Sequence, residues 1–131
     1  MKPLFIVLGT LLATCAFAAD STFHKTCSDL KLNADGSGFT AVCKKRDGSP
    51  NNTSLVLKGV QNLDGRLSLV PGAPSNYVAS CTTIRLQVPS KTMQIPHPRL
   101  TAICKKKDGH PSNTQLELDN VENVDGVLRQ Q

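Results

Sequence analysis

Three sets of residues in this chain have the types and spacing for chemistry. Two cation runs, Lys44-Lys45-Arg46 and Lys105-Lys106-Lys107, each lie directly after a cysteine and before an Asp-Gly pair, Asp47 and Asp108. Two short segments, Asn62-Leu63-Asp64-Gly65 and Asn123-Val124-Asp125-Gly126, carry side chains that donate and accept hydrogen bonds in fixed directions. The third set is the cysteines, Cys15, Cys27, Cys43, Cys81 and Cys104. The cation runs offer point charges to sulfate, phosphate, carboxylate or an acidic surface, although a run of this length is also what a solvated hairpin tip carries. The Asn-x-Asp-Gly segments supply what a tight turn needs for its own hydrogen bonds, and the same groups suit a ligand rich in hydroxyls.

No catalytic set emerges beside these. His24, His97 and His110 are scattered, and a Ser or Cys nucleophile needs one of them beside it with an orienting acid. His97 lies between two prolines and His110 precedes Pro111, which reads as surface loop. The acidic residues fall mostly in Asp-Gly turns, so a turn role explains them without a glycosidase pair. The chain is expected not to be an enzyme and to need no cofactor.

Length bounds the elements that must position these residues. At 131 residues, 39% of them hydrophobic, the chain makes one domain or one pair of small repeats with a core of its own. Aromatic residues are 4%, without Trp, so stacking platforms for bases are hard to build and no nucleic-acid partner is expected despite a net charge of +5. Residues 1–18 have a positive charge at Lys2, an apolar run from Leu4 to Ala13 and the small-x-small exit Ala16-Phe17-Ala18, the pattern of a secretory signal peptide. The run is short of the ~20 residues that span a bilayer, so no membrane insertion is expected. Cleavage after Ala18 discards Cys15 and leaves residues 19–131 with four cysteines, an even number in an oxidising compartment. Zinc is disfavoured because the cysteines lie 16, 38 and 23 residues apart, with no close clip and no histidine set.

A repeat organises the chain. Residues 40–67 align without a gap on residues 101–128, in the shared frame T-A-[VI]-C-K-K-[RK]-D-G-x-P-x-N-T-x-L-x-L-x-x-V-x-N-[LV]-D-G-x-L. Upstream, Phe23 to Leu32 answers Tyr77 to Leu86, and the second copy holds seven extra residues within 87–99, an exposed-loop candidate with Pro89, Pro96 and Pro98. Repeat 1 covers about 23–69 and repeat 2 about 77–130. Four cysteines allow three pairings, and only Cys27–Cys43 with Cys81–Cys104 gives both repeats the same bond. Alternation of polar and apolar residues in 28–32, 53–57, 84–88 and 115–118, with five Asp-Gly pairs between such runs, indicates an all-β chain of short hairpins. One helical turn is expected near Leu57 to Asn62 and its partner near Leu118 to Asn123.

The frame Phe23-x-x-Thr26-Cys27, then Cys43 with a charged loop, then Asn52-Thr53-Ser54-x-x-Leu57, then Asn62-Leu63-Asp64-Gly65-x-Leu67, repeated as Tyr77 to Leu128, resembles the cyanovirin-N family. The resemblance covers nearly all of 19–131. It implies a secreted lectin for mannose-rich glycans, in an elongated all-β fold whose two pseudo-symmetric halves borrow from both repeats. One half would hold about 20–59 with 120–131, the other about 60–119. The family binds sugar at two distant ends. One would contain Thr22, His24, Lys25 and Thr26, then Lys44, Lys45, Arg46 and Asp47, then Asn123, Val124 and Asp125. The other would contain Gln61, Asn62, Leu63 and Asp64, then Ser75, Asn76 and Ser80, then Lys105, Lys106, Lys107 and Asp108.

The sequence departs from the family in two places. Arg46 and Lys107 stand where the family typically has a small hydroxyl residue, which opens recognition of acidic glycans beside that of neutral ones. Leu69 stands where a Trp usually sits between the halves, which implies looser packing there. The rival function is a small secreted interaction or inhibitor module whose basic loops and proline-rich insertion dock on a protein or acidic partner. Partners are thus glycans or glycoproteins in the first reading, with the chain a monomer or a dimer that swaps segments. Asn51-Asn52-Thr53-Ser54 holds two overlapping N-glycosylation sequons, at Asn51 and Asn52, which the second copy lacks. The leader has a direct check: the intact mass of the exported protein is expected to place its first residue at Ala19, and a product retaining Met1 would remove the leader assignment.

Overall fold

The computed structural model describes residues 22–131, so the leader 1–18 lies outside the described residues. Period-two alternation yields two three-stranded antiparallel meanders. The first comprises β1 (Cys27–Leu32), β2 (Gly38–Lys44) and β3 (Pro50–Val56). Each repeat continues with a short hairpin, β4 (Val60–Leu63) with β5 (Arg66–Leu69) in the first. The second meander, β6 (Cys81–Gln87), β7 (Arg99–Lys105) and β8 (Pro111–Glu117), is followed by β9 (Val121–Val124) and β10 (Val127–Gln130). One helical turn precedes each meander, α1 (Phe23–Thr26) and α2 (Tyr77–Ser80).

Neither hairpin stays with its own repeat. The β5 strand packs on β8 and β10 packs on β3. At these seams the Leu67 N–H donates to Thr114 Oγ1 at 3.0 Å and the Leu128 N–H donates to Thr53 Oγ1 at 3.1 Å. One half is therefore α1, β1–β3 and β9–β10, and the other β4–β5, α2 and β6–β8. A two-stranded hairpin is at best marginally stable alone, so burial of Leu67 and Leu128 in the opposite repeat's core is what holds these pieces in place. The buried residues repeat as pairs: Phe23 and Tyr77, Phe39 and Leu100, Ala41 and Ala102, Leu57 and Leu118, Val60 and Val121.

Cys27 is bonded to Cys43 and Cys81 to Cys104, each across one strand pair. Closing these loops contributes about 3 kcal/mol each by restricting the unfolded chain. Both first strands carry a bulge at matching positions, where Asp29 and Thr83 take φ of 53°.

The expected helical turns near 57–62 and 118–123 do not form. Leu57 with Val60, and Leu118 with Val121, mimic helical spacing, but each pair belongs to a chain leaving one sheet and entering a hairpin. The backbone there bonds to the residue just after a later strand instead, as Val70 N–H to Gly59 O and Gln131 N–H to Asn120 O, both 2.7 Å. Helical turns occur just before Cys27 and Cys81, where Phe23 and Tyr77 must swing into the core. The insertion is the loop 88–98. Its end is anchored rather than free, because Pro98 is fully buried and its carbonyl accepts the Leu118 N–H at 2.8 Å.

The halves are keyed together by Tyr77. Its hydroxyl donates to Gly36 O at 2.6 Å, across the boundary between them. Gly36 has φ of 78°, and a Cβ there would meet the Ile84 side chain at 2.9 Å, so any other residue is strained at this position. Leu69 is 37% exposed and so contributes little to a common core.

Burial, with the charge of Asp35 adding to it, pushes the Tyr77 phenol up to about 12 from its usual 10. The folded state then keeps a proton that the unfolded chain loses near pH 10, so stability is expected to fall as pH rises from about 10 to about 12, by up to ~3 kcal/mol at ~1.4 per pH unit. Tyr77→Phe should cost about 1–2 kcal/mol at neutral pH by leaving the Gly36 carbonyl unmet, and should abolish that slope. Urea melts of both proteins across this range check it; an equal slope in the variant would contradict the assignment.

Candidate functional site

Each end of the molecule is a junction of three segments: a hairpin from one repeat, and a helical turn with a cationic loop from the other. At the first end the turn of β9–β10 is a two-residue reversal in which Asp125 and Gly126 both have positive φ, 50° and 88°. The Asn123 side chain ties all three segments. Its Oδ1 accepts the Gly126 N–H at 2.8 Å, and its Nδ2 donates to Thr26 Oγ1 at 2.9 Å and to Lys44 O at 3.0 Å. Asp125 Oδ1 accepts the Arg46 N–H at 2.9 Å, and Asn51 Nδ2 donates to Gly126 O at 2.7 Å.

The second end repeats the pattern. Asn62 Oδ1 accepts the Gly65 N–H at 2.7 Å, its Nδ2 donates to Ser80 Oγ at 2.8 Å and Lys105 O at 2.9 Å, and Asp64 Oδ1 accepts the Lys107 N–H at 2.9 Å. Here the segment before α2 is also laced to β4. Asn76 Oδ1 accepts the Asn62 N–H at 2.9 Å, and Gln61 Nε2 donates to Pro74 O at 3.0 Å.

The predicted residues divide accordingly. Thr22, Thr26, Lys44, Lys45, Arg46, Asn123, Val124 and Asp125 line one cleft of about 500 Å³ at the first end. His24, Lys25 and Asp47 lie nearby but do not line it. Asp47 instead holds its own hairpin, accepting the Ser49 hydroxyl at 2.6 Å and the Ser49 N–H at 2.9 Å, bonds that keep its carboxyl below the usual value. Asp108 does the same with His110, whose backbone N–H, then side chain, lower its pKa. Ser75 is exposed, and its hydroxyl is bonded to the backbone, donating to Leu57 O at 2.7 Å and accepting the Val60 N–H at 3.1 Å. Leu63 and Val124 occupy matching exposed positions in the two turns.

Phe23 and Glu122 line the first cleft and were not anticipated. Glu122 occupies the position that Gln61 holds in the other repeat, so the symmetry that selected Gln61 was the available signal. The His24 imidazole is held below its ordinary value by burial, then by the charges of Lys25 and His97. His24 Nδ1 and His97 Nδ1 are both buried without a hydrogen-bond partner. No cluster of three or more metal-ligating side chains occurs among the described residues.

Both junctions leave the same groups for a ligand: the second carboxylate oxygen of Asp64 or Asp125, the side-chain amines of the cationic loop, and exposed main chain. Such a set donates and accepts in fixed directions and suits vicinal hydroxyls. At the first end the Glu122 carboxylate adds an acceptor.

A sequence profile of the CVNH domain matches residues 23–129. No curated protein matches the chain. Among solved structures, a microvirin–mannobiose complex is 28% identical, covering 86% of this chain and 99% of that one, with a TM-score of 0.68. The CVNH protein of Gibberella zeae is 24% identical, covering 82% of this chain and 95% of that one, with a TM-score of 0.66. A MoCVNH3 variant in complex with (N-GlcNAc)4 is 17% identical, covering 85% and 97%, with a TM-score of 0.69.

Docking of the hairpin on the loop is measurable through glycine. Gly48 and Gly126 share φ of 88°, yet a Cβ on Gly48 meets nothing within 4 Å, whereas one on Gly126 meets Lys45 Cγ at 2.8 Å and Asn51 Cβ at 3.1 Å. Gly48→Ala is expected to cost ~1–2 kcal/mol of backbone strain alone. Gly126→Ala should cost at least ~1 kcal/mol more, because Lys45 and Asn51 must give way. Urea denaturation of the two variants checks this, and equal costs would mean the hairpin does not press on the loop.

Proposed function

Since the chain belongs to the family of CVNH-domain proteins, we propose that it is a secreted, non-enzymatic lectin that holds mannose-type glycans at its two ends. What carries this reading is the doubled junction: at both ends an Asn-x-Asp-Gly turn, a helical turn and a basic loop are locked into one frame with free hydrogen-bonding groups at its surface. The likeness to microvirin, solved with mannobiose, supports the choice of mannose. Export is supported by the leader pattern in 1–18 and by two disulfide bonds.

Binding on this reading needs no bond made or broken. Two adjacent hydroxyls of one sugar ring donate to the free Asp125 oxygen and to Glu122 at the first end, and to the Asp64 oxygen at the second. The amines of Lys44 and Lys45, and of Lys105 and Lys106, donate to ring and hydroxyl oxygens, while the longer Arg46 and Lys107 side chains crowd the sugar. Because the carbonyl of Lys44 and the amide of Arg46 are already fixed by Asn123 and Asp125, little loop ordering remains to oppose binding. Each single end is expected to bind weakly, and the pair to gain by avidity on branched or clustered glycans.

Titration calorimetry with mannobiose tests the two-site claim. The wild type should bind two molecules per chain. Asp64→Ala and Asp125→Ala should each leave one, and the double variant none, with unchanged circular dichroism. Silence of the wild type toward mannobiose and mannose-rich glycans, or full binding by the double variant, would overturn the reading.

Replacement of Arg46 and Lys107 by Thr separates neutral from acidic recognition at these ends. A short hydroxyl keeps a donor and an acceptor while removing bulk, so affinity for mannose-rich glycan should rise. A fall in that affinity would mean the long cations are themselves the contacts.

A further inference from the structure

The outer face of the second half's sheet carries a groove used by neither end. It has a volume of about 440 Å³, and its polar lining includes Arg85, Gln87, Arg99, Thr101, Asn113 and Gln115. Register explains the lining: Arg85 pairs with Thr101 and Thr101 with Gln115, while Gln87 pairs with Arg99 one row along. Arg85 and Arg99 are thus diagonal neighbours, roughly 7–8 Å apart on the same face. Arg99 Nε donates to Gln87 Oε1 at 2.7 Å, which fixes the guanidinium and leaves its terminal amino groups open. Neither arginine forms an ion pair among the described residues. Glu117 is the register partner of Arg99 on β8, yet it makes no ion pair with Arg99 and does not line the groove.

The first half has the matching groove without this character. There Asp29 and Lys31 cancel in charge among Thr40, Asn52 and Ser54. The position matching Arg99 is Gly38, where a Cβ would collide with the Leu55 carbonyl, so no side chain can occupy it. In the second half the insertion returns to the sheet at this position. Buried Pro98, bonded through its carbonyl to the Leu118 N–H, delivers Arg99 to a fixed place.

We infer that this face of the second half binds an acidic saccharide, a hydroxyl-rich chain bearing carboxylate or sulfate, independently of the two ends. Two uncompensated guanidinium forks match carboxylate or sulfate by paired N–H donors, and the flanking amides and hydroxyls match sugar hydroxyls. The preference for a saccharide over a bare anion rests on the glycan-binding reading above, whereas the charge argument does not.

The test is titration of 15N-labelled protein with tetragalacturonate as the carboxylate source, with a heparin-derived tetrasaccharide as the sulfate source, and with mannobiose and sodium sulfate as comparisons. At least one acidic probe should shift amides in 83–87, 99–103 and 113–115, and added salt should weaken it. R85Q/R99Q should weaken that probe tenfold or more while the mannobiose response stays as in wild type. Because Arg85 is exposed, R85Q alone is a fold-neutral second variant and should weaken the probe severalfold. Shifts confined to 44–47 and 105–108, unchanged affinity in both variants, or sodium sulfate binding this face as tightly as the oligosaccharides would each overturn the inference. Acidic-probe shifts on this face in a protein silent to mannobiose would uphold it while removing the mannose reading.

Discussion

Two carboxamides hold the working parts of this molecule in register. Asn62 and Asn123 each close their own turn with Oδ1 and reach with Nδ2 to a hydroxyl before one cysteine and a carbonyl just after its partner. Among the described residues no other side chain at either end hydrogen-bonds to all three segments in this way. The constraint is that a hairpin with four-residue strands cannot persist alone. It must be docked by its neighbour, and the docking surface is the cationic loop, whose shape is fixed in return. In the structure each turn docks on the loop of the other repeat.

The same architecture explains why the two halves differ where they do. Core positions are duplicated almost residue for residue, since each half must fill the same volume. Differences gather where the duplicated frame imposes nothing. Tyr77 replaces the Phe23 type and spends its hydroxyl on Gly36, which joins the halves. Gln61 and Glu122 give the two ends different charge at equivalent positions. The insertion before Arg99 changes one sheet face. Cations dominate the loops, and among the described residues the single contact of salt-bridge length is His110 Nδ1 with Asp108 at 3.1 Å, ionic only when the imidazole is protonated. Stability is therefore carried by packing, disulfides and directional hydrogen bonds, while the charges remain available to solvent or ligand.

Much of this was legible in the sequence because a tandem repeat states its constraints twice. The disulfide pairing followed from comparing one copy with the other, the all-β class from polar–apolar alternation between Asp-Gly turns, and the two-half arrangement from the family resemblance that the copies carry. Local spacing misled at Leu57 and Leu118, where an apolar i, i+3 pair arises from strand exit and hairpin entry rather than from a helix. The turns Phe23–Thr26 and Tyr77–Ser80 carry no periodic signal, since four residues are too few to show one. Phe23 was missed because membership of a cleft depends on packing between segments distant in sequence, whereas Glu122 stands at the repeat position of Gln61. Asp47 and Asp108 sit in Asp-Gly pairs, the local turn signal of the sequence, and their carboxylates turn toward Ser49 and His110.

The central claim is that each turn governs the loop of the opposite repeat, and amide hydrogen exchange in Asn123→Ala measures it most directly. The Arg46 and Gly126 amides should exchange at least tenfold faster than in wild type, because Asp125 and the turn lose their anchor. Those of Lys107 and Gly65, at the far end, should keep their protection. Unchanged exchange at Arg46, or equal acceleration at both ends, would contradict the account.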